Sequence, residues 1–419
     1  MMTSRSSRSQ AFTASLFLAV IALLVPQVVA SDHQPDGSQG TTTDDFTPVD
    51  RMMKAFVQEH GVPGAAIAIM KDGRVLHEGG YGLADVAAST PVTPASRFRI
   101  ASISKPITAV AIMQLVEQGK LSLSDNPFNL IGLGVEIRSD GRDPRLRAIT
   151  IEHLLTHRAG WDRNVSQDPM FLQRRISKAL ELEQAPTPEE VIRYMIDQPL
   201  DFDPGTQYAY SNFGYCLLGR VIEQVTGKSY EAAVRERVLE PIGITSMAIG
   251  RSFPEERLED EVVYHDQKER TVSSWKEPER RVPMGYIHDQ EVMDAHGGWI
   301  ATATDVARFA GAFSDLDRSP LLKRDSIKQM WAPPTPERSA SWYARGWLVN
   351  PTGNTCNAWH NGALTGSTST IMVLRHDGYS WAVLFNTDCS KLNGSSLYNM
   401  IDGMVHRAVD ASIKPGKGA

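Results

Sequence analysis

Residues 65–70 are apolar at every position and residues 74–81 mix apolar with polar ones, with Lys71-Asp72-Gly73 between the two runs. Short apolar runs around an Asp-Gly turn predict a β-hairpin. The last third of the chain has the same texture. Runs 344–349, 367–374 and 380–386 are short, apolar and bounded by Gly, Asn or Asp, and His376-Asp377-Gly378 supplies the turn between the last two. Helical spacing marks residues 49–58, which Gly61 and Pro63 bring to an end, and residues 398–408 near the other end. Between about 121 and 295 the pattern is mostly helical and broken by loops. Strands at both ends with helices between them predict an α+β fold. In it, one antiparallel sheet is built from the N- and C-terminal segments and flanked by helices, with a mainly helical lobe inserted. The predicted domain is 47–412, with 47–125 and 295–412 forming the α/β lobe and 126–294 the helical lobe. A flexible lead (31–46) precedes it and a tail (413–419) follows.

The first thirty residues stand apart from that pattern. Arg5 and Arg8 precede a charge-free run over 11–24; Pro26 then interrupts, and Val28-Val29-Ala30 offers small residues for cleavage. This layout predicts a signal peptide over 1–30 and an exported, periplasmic or secreted protein. An uncleaved anchor is the alternative, because residues 11–30 approach the length of a membrane span. No later run is long and apolar enough to cross a membrane. The chain of 419 residues is 42% hydrophobic, enough for a large core in one or two domains. Its net charge of −6 gives no basic surface for nucleic acid, and Lys276 to Arg281 is interleaved with Glu277 and Glu279. Of three cysteines, Cys356 and Cys389 flank neighbouring predicted strands and are expected to pair on export, with Cys216 free in an apolar helix. No metal or cofactor is expected. His153 and His157 lie four apart without the glutamate of a zinc protease, so the pair is read as structural.

Chemistry concentrates in three short motifs. Ser102-Ile103-Ser104-Lys105 precedes Pro106 and an apolar run over 107–113 that is hydrophobic nearly all round, a buried helix ended by Gly119. Ser102 falls at its start with Lys105 one turn on and on the same face. A serine hydroxyl needs a base to become a nucleophile. Lysine is such a base where burial and the positive end of a helix lower its pKa. A second match, Ser273-Ser274-Trp275-Lys276, lies in a charged segment with no apolar helix after it and is set aside. Tyr210-Ser211-Asn212 follows the Pro204-Gly205 turn and opens an apolar helix over 213–225. Taken alone it reads as a helix cap beside a core aromatic; next to Ser102 it reads as a proton relay and an amide that orients the lysine. Among the His-x-Gly sequences, His296-Gly297-Gly298 precedes a helix over 304–313 and His376 lies in a turn. Only His360-Asn361-Gly362 runs between strand regions. Gly362 there lets a ligand lie against the strand, and the Ala363 N–H can complete an oxyanion hole with that of Ser102.

In their order and setting these motifs resemble the serine β-lactamase and D-alanyl-D-alanine carboxypeptidase (penicillin-binding) superfamily, in its class C-like branch with esterase and D-aminopeptidase relatives. The resemblance runs from about 49 to 407. It includes Val62-Pro63-Gly64, Phe98 to Lys105, the His-Leu-Leu-Thr-His of 153–157, and Gly297 to Phe309. It implies a β-lactamase/transpeptidase-like fold with a cleft between the two lobes. It also implies Ser102 as the acylated nucleophile, Lys105 and Tyr210 as base and relay, and Asn212 as orienter of substrate and lysine. The implied activity is serine acyl-hydrolysis of an ester, a D-amino-acid peptide or a β-lactam, with cell-wall peptide as an implied partner; a silent peptide-binding or scaffold member is the alternative. The third motif departs from the Lys-Thr-Gly of class C lactamases: His360 replaces the lysine and the hydroxyl is lost. A neutral histidine holds a carboxylate poorly. A neutral ester is therefore expected to match or exceed a carboxylated one, unless an arginine from the helical lobe supplies the missing charge.

Overall fold

Asp72 (φ 51°) and Gly73 (φ 75°) both adopt left-handed backbone, as a two-residue hairpin connection requires, and Lys71 pairs with Arg74 across it. In this computed structural model the described residues are 45–131, 142–266, 268–273, 281–335, 340–389, 391–392 and 395–413. The signal-like segment 1–30, nearly all of the 31–46 lead, Ser274 to Lys276 of the second Ser-x-x-Lys copy and residues 414–419 of the tail lie outside them.

The hairpin strands Gly64–Lys71 and Arg74–Asp85 join the C-terminal strands in one antiparallel sheet, eight-stranded among the described residues. Its order is Thr90–Pro91, Arg74–Asp85, Gly64–Lys71, Tyr379–Phe385, Thr368–Leu374, Thr355–Leu364, Leu348–Thr352 and Trp342–Tyr343. The junction between the chain's two ends is the pairing of Ala65 with Phe385 through Lys71 with Tyr379. Strands Thr368–Leu374 and Tyr379–Phe385 are buried at every position, which explains why they read as continuous apolar runs rather than alternating ones. Alternation sorts their side chains between two cores. Met372, Leu374, Ala382 and Leu384 join Ala66 and Ala68 in one core. Ile371, Val373, Trp381 and Val383 join Ile67 and Ile69 in the other. The second core is closed by helices Thr47–Glu59, through Val49, Met53 and Phe56, and Leu397–Ser412, through Ile401, Val405 and Val409. The first core receives helix Ser104–Glu117, buried without interruption from Ser104 to Leu115, and helix Asn212–Thr226 of the helical segment. Among the described residues no helix is long and apolar enough to cross a membrane.

Two expectations change in detail. The run 344–349 is not one strand: Gly346 turns at φ 82°, and a Cβ there would sit 2.4 Å from the Ala109 methyl, so the chain breaks into Trp342–Tyr343 and Leu348–Thr352. The expected Cys356–Cys389 bridge is absent and all three cysteines are free. The reason is position along the sheet. Cys389 N–H donates to Ser369 Oγ, Ser369 pairs with Ala363, and Cys356 lies seven residues earlier on that strand, roughly 20 Å away at the rise of a β-strand. A disulfide needs Cα atoms within about 7 Å. Alkylation of the unfolded, unreduced protein followed by peptide mapping should therefore find all three cysteines as thiols; a peptide joining Cys356 to Cys389 would contradict this placement.

Candidate active site

The segment that delivers Ser102 is anchored from behind. Phe98–Arg99 pairs with Trp299–Ala301, and the Arg99 side chain is buried. Its guanidinium donates to the carbonyls of Gly285 (2.7 Å) and Arg251 (2.9 Å), lies against the rings of Tyr264 and Tyr286, and has Glu261 at 3.8 Å. A buried guanidinium is tolerable because its Nη donors are met by carbonyls and the Glu261 carboxylate balances its charge. Ala101 then adopts φ 49°, a left-handed conformation disfavoured for an L-residue with a Cβ. The short 3-10 turn Ala101–Ile103 leads into helix Ser104–Glu117, so Ser102 stands at the helix entrance and Lys105 in its first turn.

Lys105 is fully buried. Its Nζ lies 3.1 Å from Ser102 Oγ, 2.7 Å from Asn212 Oδ1 and 2.8 Å from the carbonyl of His296. Burial pushes its pKa well below the usual lysine value; Asp168 opposes this and Arg163 adds to it. Asn212 is held in turn, its Nδ2 donating to Asp168 Oδ2 at 2.8 Å, which fixes the amide so that its oxygen faces the lysine. The cap reading of the second motif shifts by one residue: Ser211 caps helix Asn212–Thr226 by accepting from Gly214 N–H, and Asn212 is left to face Lys105. The Tyr210 ring lies 4.8 Å from Lys105 Nζ, and Ser102 is among the groups that act on its phenol. Burial raises the phenol pKa far above its ordinary value.

The third motif sits on strand Thr355–Leu364. Its outer neighbour pairs with it only as far as Trp359, so past that residue the edge is open to the cleft. At Gly362 a Cβ would come within 2.4 Å of the Ile100 carbonyl and 2.9 Å of Ser102 N, so only glycine lets the strand lie this close to the nucleophile's backbone. Ala363 is exposed on the cleft side. His360 is buried, and both its ring nitrogens are engaged within the protein: Nδ1 with the Asn361 carbonyl at 2.6 Å, Nε2 with the Tyr343 hydroxyl at 3.0 Å. This pattern is that of a neutral ring donating through Nδ1 and accepting at Nε2. Burial, with Lys105 nearby, lowers its pKa to about 3.

The three motifs, far apart in sequence, thus meet. Ser102, Tyr210, His360, Asn361, Gly362 and Ala363 line one cavity of about 550 Å³, with Asp162, Arg163, Asn164, Tyr208 and Tyr343 on its other walls. Lys105 and Asn212 lie beneath it. Sequence reasoning passed over several of these neighbours. Asp168 precedes Pro169 and caps a short 3-10 turn (Pro169–Phe171), a signal that points to capping only. His157, read as structural, is buried among the rings of Tyr210, Tyr215 and Tyr343 and accepts from Ser211 N–H, so it supports the second motif. His296 contributes its carbonyl to Lys105, although its His-x-Gly was set aside as a third motif.

The chain is similar to known proteins in sequence and in fold. Residues 49–398 match the family model described as Beta-lactamase. Protein flp of Staphylococcus aureus (strain N315) is 25% identical over 82% of this chain and 64% of its own length, so the chain spans less than two thirds of that relative. Esterase EstB of Burkholderia gladioli is 30% identical over 57% of this chain and 59% of its own length. The octameric penicillin-binding protein homologue from Pyrococcus abyssi superposes with a TM-score of 0.65 at 26% identity, covering 88% of this chain and 78% of that one. The fold is the expected β-lactamase/transpeptidase-like α/β arrangement, and with the family model matched over most of its length, the chain belongs to the beta-lactamase family.

Proposed function

We propose that the protein is an exported serine acyl-hydrolase that cleaves a small ester or amide through an acyl-enzyme on Ser102. One observation carries the reading: a wholly buried lysine amine 3.1 Å from the serine hydroxyl, with two carbonyl oxygens as its other partners. In the neutral amine, Asn212 Oδ1 and the His296 carbonyl take the two N–H bonds, and the lone pair is left to face Ser102. Tyr210 is pushed the opposite way, and two groups whose pKa values are driven apart divide into base and acid. Lys105 takes the Ser102 proton as Oγ adds to the carbonyl carbon. The N–H groups of Ser102 and Ala363 receive the oxyanion. As the bond to the leaving group breaks, Tyr210 gives that group its proton and is reprotonated from the Lys105 ammonium. Water then attacks the acyl-enzyme by the reverse relay and releases the acid. The charge-free run near the N-terminus supports export.

Intact-mass measurement after a fluorophosphonate and, separately, a penicillin tests the assignment: a single adduct mapping to Ser102 supports it, and no adduct with either reagent overturns it. The pH profile is a second readout. Activity requires the free amine, so kcat/KM should fall on the acid side as Lys105 gains its proton. Asp168 holds that pKa up, so Asp168→Asn should move the acid limb to lower pH. A limb that stays in place or moves upward would show that Lys105 is not the group being titrated.

A further inference from the structure

The basic side chains around the cleft are unevenly committed. Lys105 directs its amine at Ser102, Asn212 and His296, and both nitrogens of His360 are taken by Asn361 and Tyr343. Arg163 is different. It is exposed, lines the same cavity as Ser102, and holds its guanidinium carbon 4.9 Å from the centre of the Tyr210 ring. Among the described residues it makes no ion pair, whereas Arg97, Arg145, Arg220, Arg345 and Arg375 each face a carboxylate. Its loop is not slack: Asp162 N–H donates to Asp201 Oδ2, and the Asp162 carbonyl accepts from the N–H groups of Val165 and Ser166. The turn presents Arg163 to the cleft, and the aromatic face beneath the guanidinium orients its plane. A planar fork of donors with no carboxylate of its own, beside a nucleophilic serine, is suited to bidentate capture of a carboxylate.

We infer that Arg163 is the specificity-determining residue of this cleft and selects esters or amides that carry a carboxylate. The inference rests on the acyl-hydrolase reading above. It replaces the charge lost where His360 stands in place of lysine, and it reverses the preference for neutral esters expected from the third motif alone.

Two matched ester pairs test it on the whole protein. Mono-p-nitrophenyl glutarate against p-nitrophenyl butyrate places the carboxylate on the acyl side. 4-Acetoxybenzoate against its methyl ester places it on the leaving group. In at least one pair the wild type should favour the carboxylated member by roughly ten- to a hundredfold in kcat/KM, the worth of a charge-assisted contact. Added salt should shrink the ratio. Arg163→Ala should bring the ratio close to one, Arg163→Lys should keep part of it, and Arg163→Glu should invert it. Because Arg163 also lowers the Lys105 pKa, each variant is compared on the plateau of its own pH profile. Turnover with no charge preference in either pair, or a preference that survives Arg163→Ala, overturns the role of Arg163 alone. No turnover of any ester, with Ser102 unlabelled by a fluorophosphonate, overturns the acyl-hydrolase reading and this inference with it.

Discussion

Ser102→Ala should lower kcat by about a million-fold and leave no acyl adduct, because the nucleophile, its base and its relay act as a unit. Lys105→Met should cost roughly 10²–10⁴-fold, the range of a single general base. Adding Lys105→Met to Ser102→Ala should then change almost nothing, since a base without a nucleophile has no proton to take. Stability should move the other way. Methionine fills the volume of the lysine stem without a buried amine to desolvate, so the Lys105→Met protein should melt no lower than the wild type. Ser273→Ala should keep full activity. Single-turnover kinetics with an activated ester, read beside thermal melts, measure all four. A dead Ser273→Ala protein, or a fully active Ser102→Ala one, would move the nucleophile elsewhere.

Gly362→Ala carries the second large effect, and it comes from space rather than charge. The added methyl would collide with the Ile100 carbonyl and Thr370 Oγ1 and crowd Ser102 N, and two of those three atoms belong to backbone that has nowhere to move. The strand must therefore withdraw from the nucleophile, carrying the Ala363 N–H with it. A displacement of about 1 Å is enough to cost on the order of 10²-fold in rate. The loss should appear in kcat more than in KM, since the oxyanion develops only as the transition state is approached. Wild-type rates in a folded Gly362→Ala protein would remove this strand edge from the oxyanion site.

The sheet and the Ser-x-x-Lys helix were legible in the sequence because their signals are local. An Asp-Gly turn, short apolar runs and a helix apolar on every face each name their own structure. The strand carrying the third motif was harder to read. Thr355–Leu364 alternates buried with more exposed positions only over its second half, and its pairing with Thr368–Leu374 and Leu348–Thr352 is what shows it to be a strand. Asp168 and Arg163 had no signal that sequence could isolate, and the His-Leu-Leu-Thr-His of 153–157 did not say what His157 would touch. Each belongs to a loop or short turn whose neighbours in space are far away in the chain: Asn212 for Asp168, Tyr343 for His157, the Tyr210 ring for Arg163. The cysteine expectation failed for a related reason. That two cysteines flank neighbouring strands does not say whether they lie at the same end of them.

The seam where Gly64–Lys71 meets Tyr379–Phe385, the latest strand of the large sheet, also dictates an order of assembly. Ile67 faces Val383, so Gly64–Lys71 must wait for a partner roughly 300 residues downstream, and closing so long a loop is entropically expensive before any contact rewards it. Until Tyr379–Phe385 arrives, the early hairpin exposes an apolar strand edge of the kind that seeks pairing with other chains. Folding should therefore be slow and late, completed only when nearly the whole polypeptide is available. A chain cut short before Tyr379 would lose far more than its final helix, because its N-terminal strand would be left as an open template for aggregation.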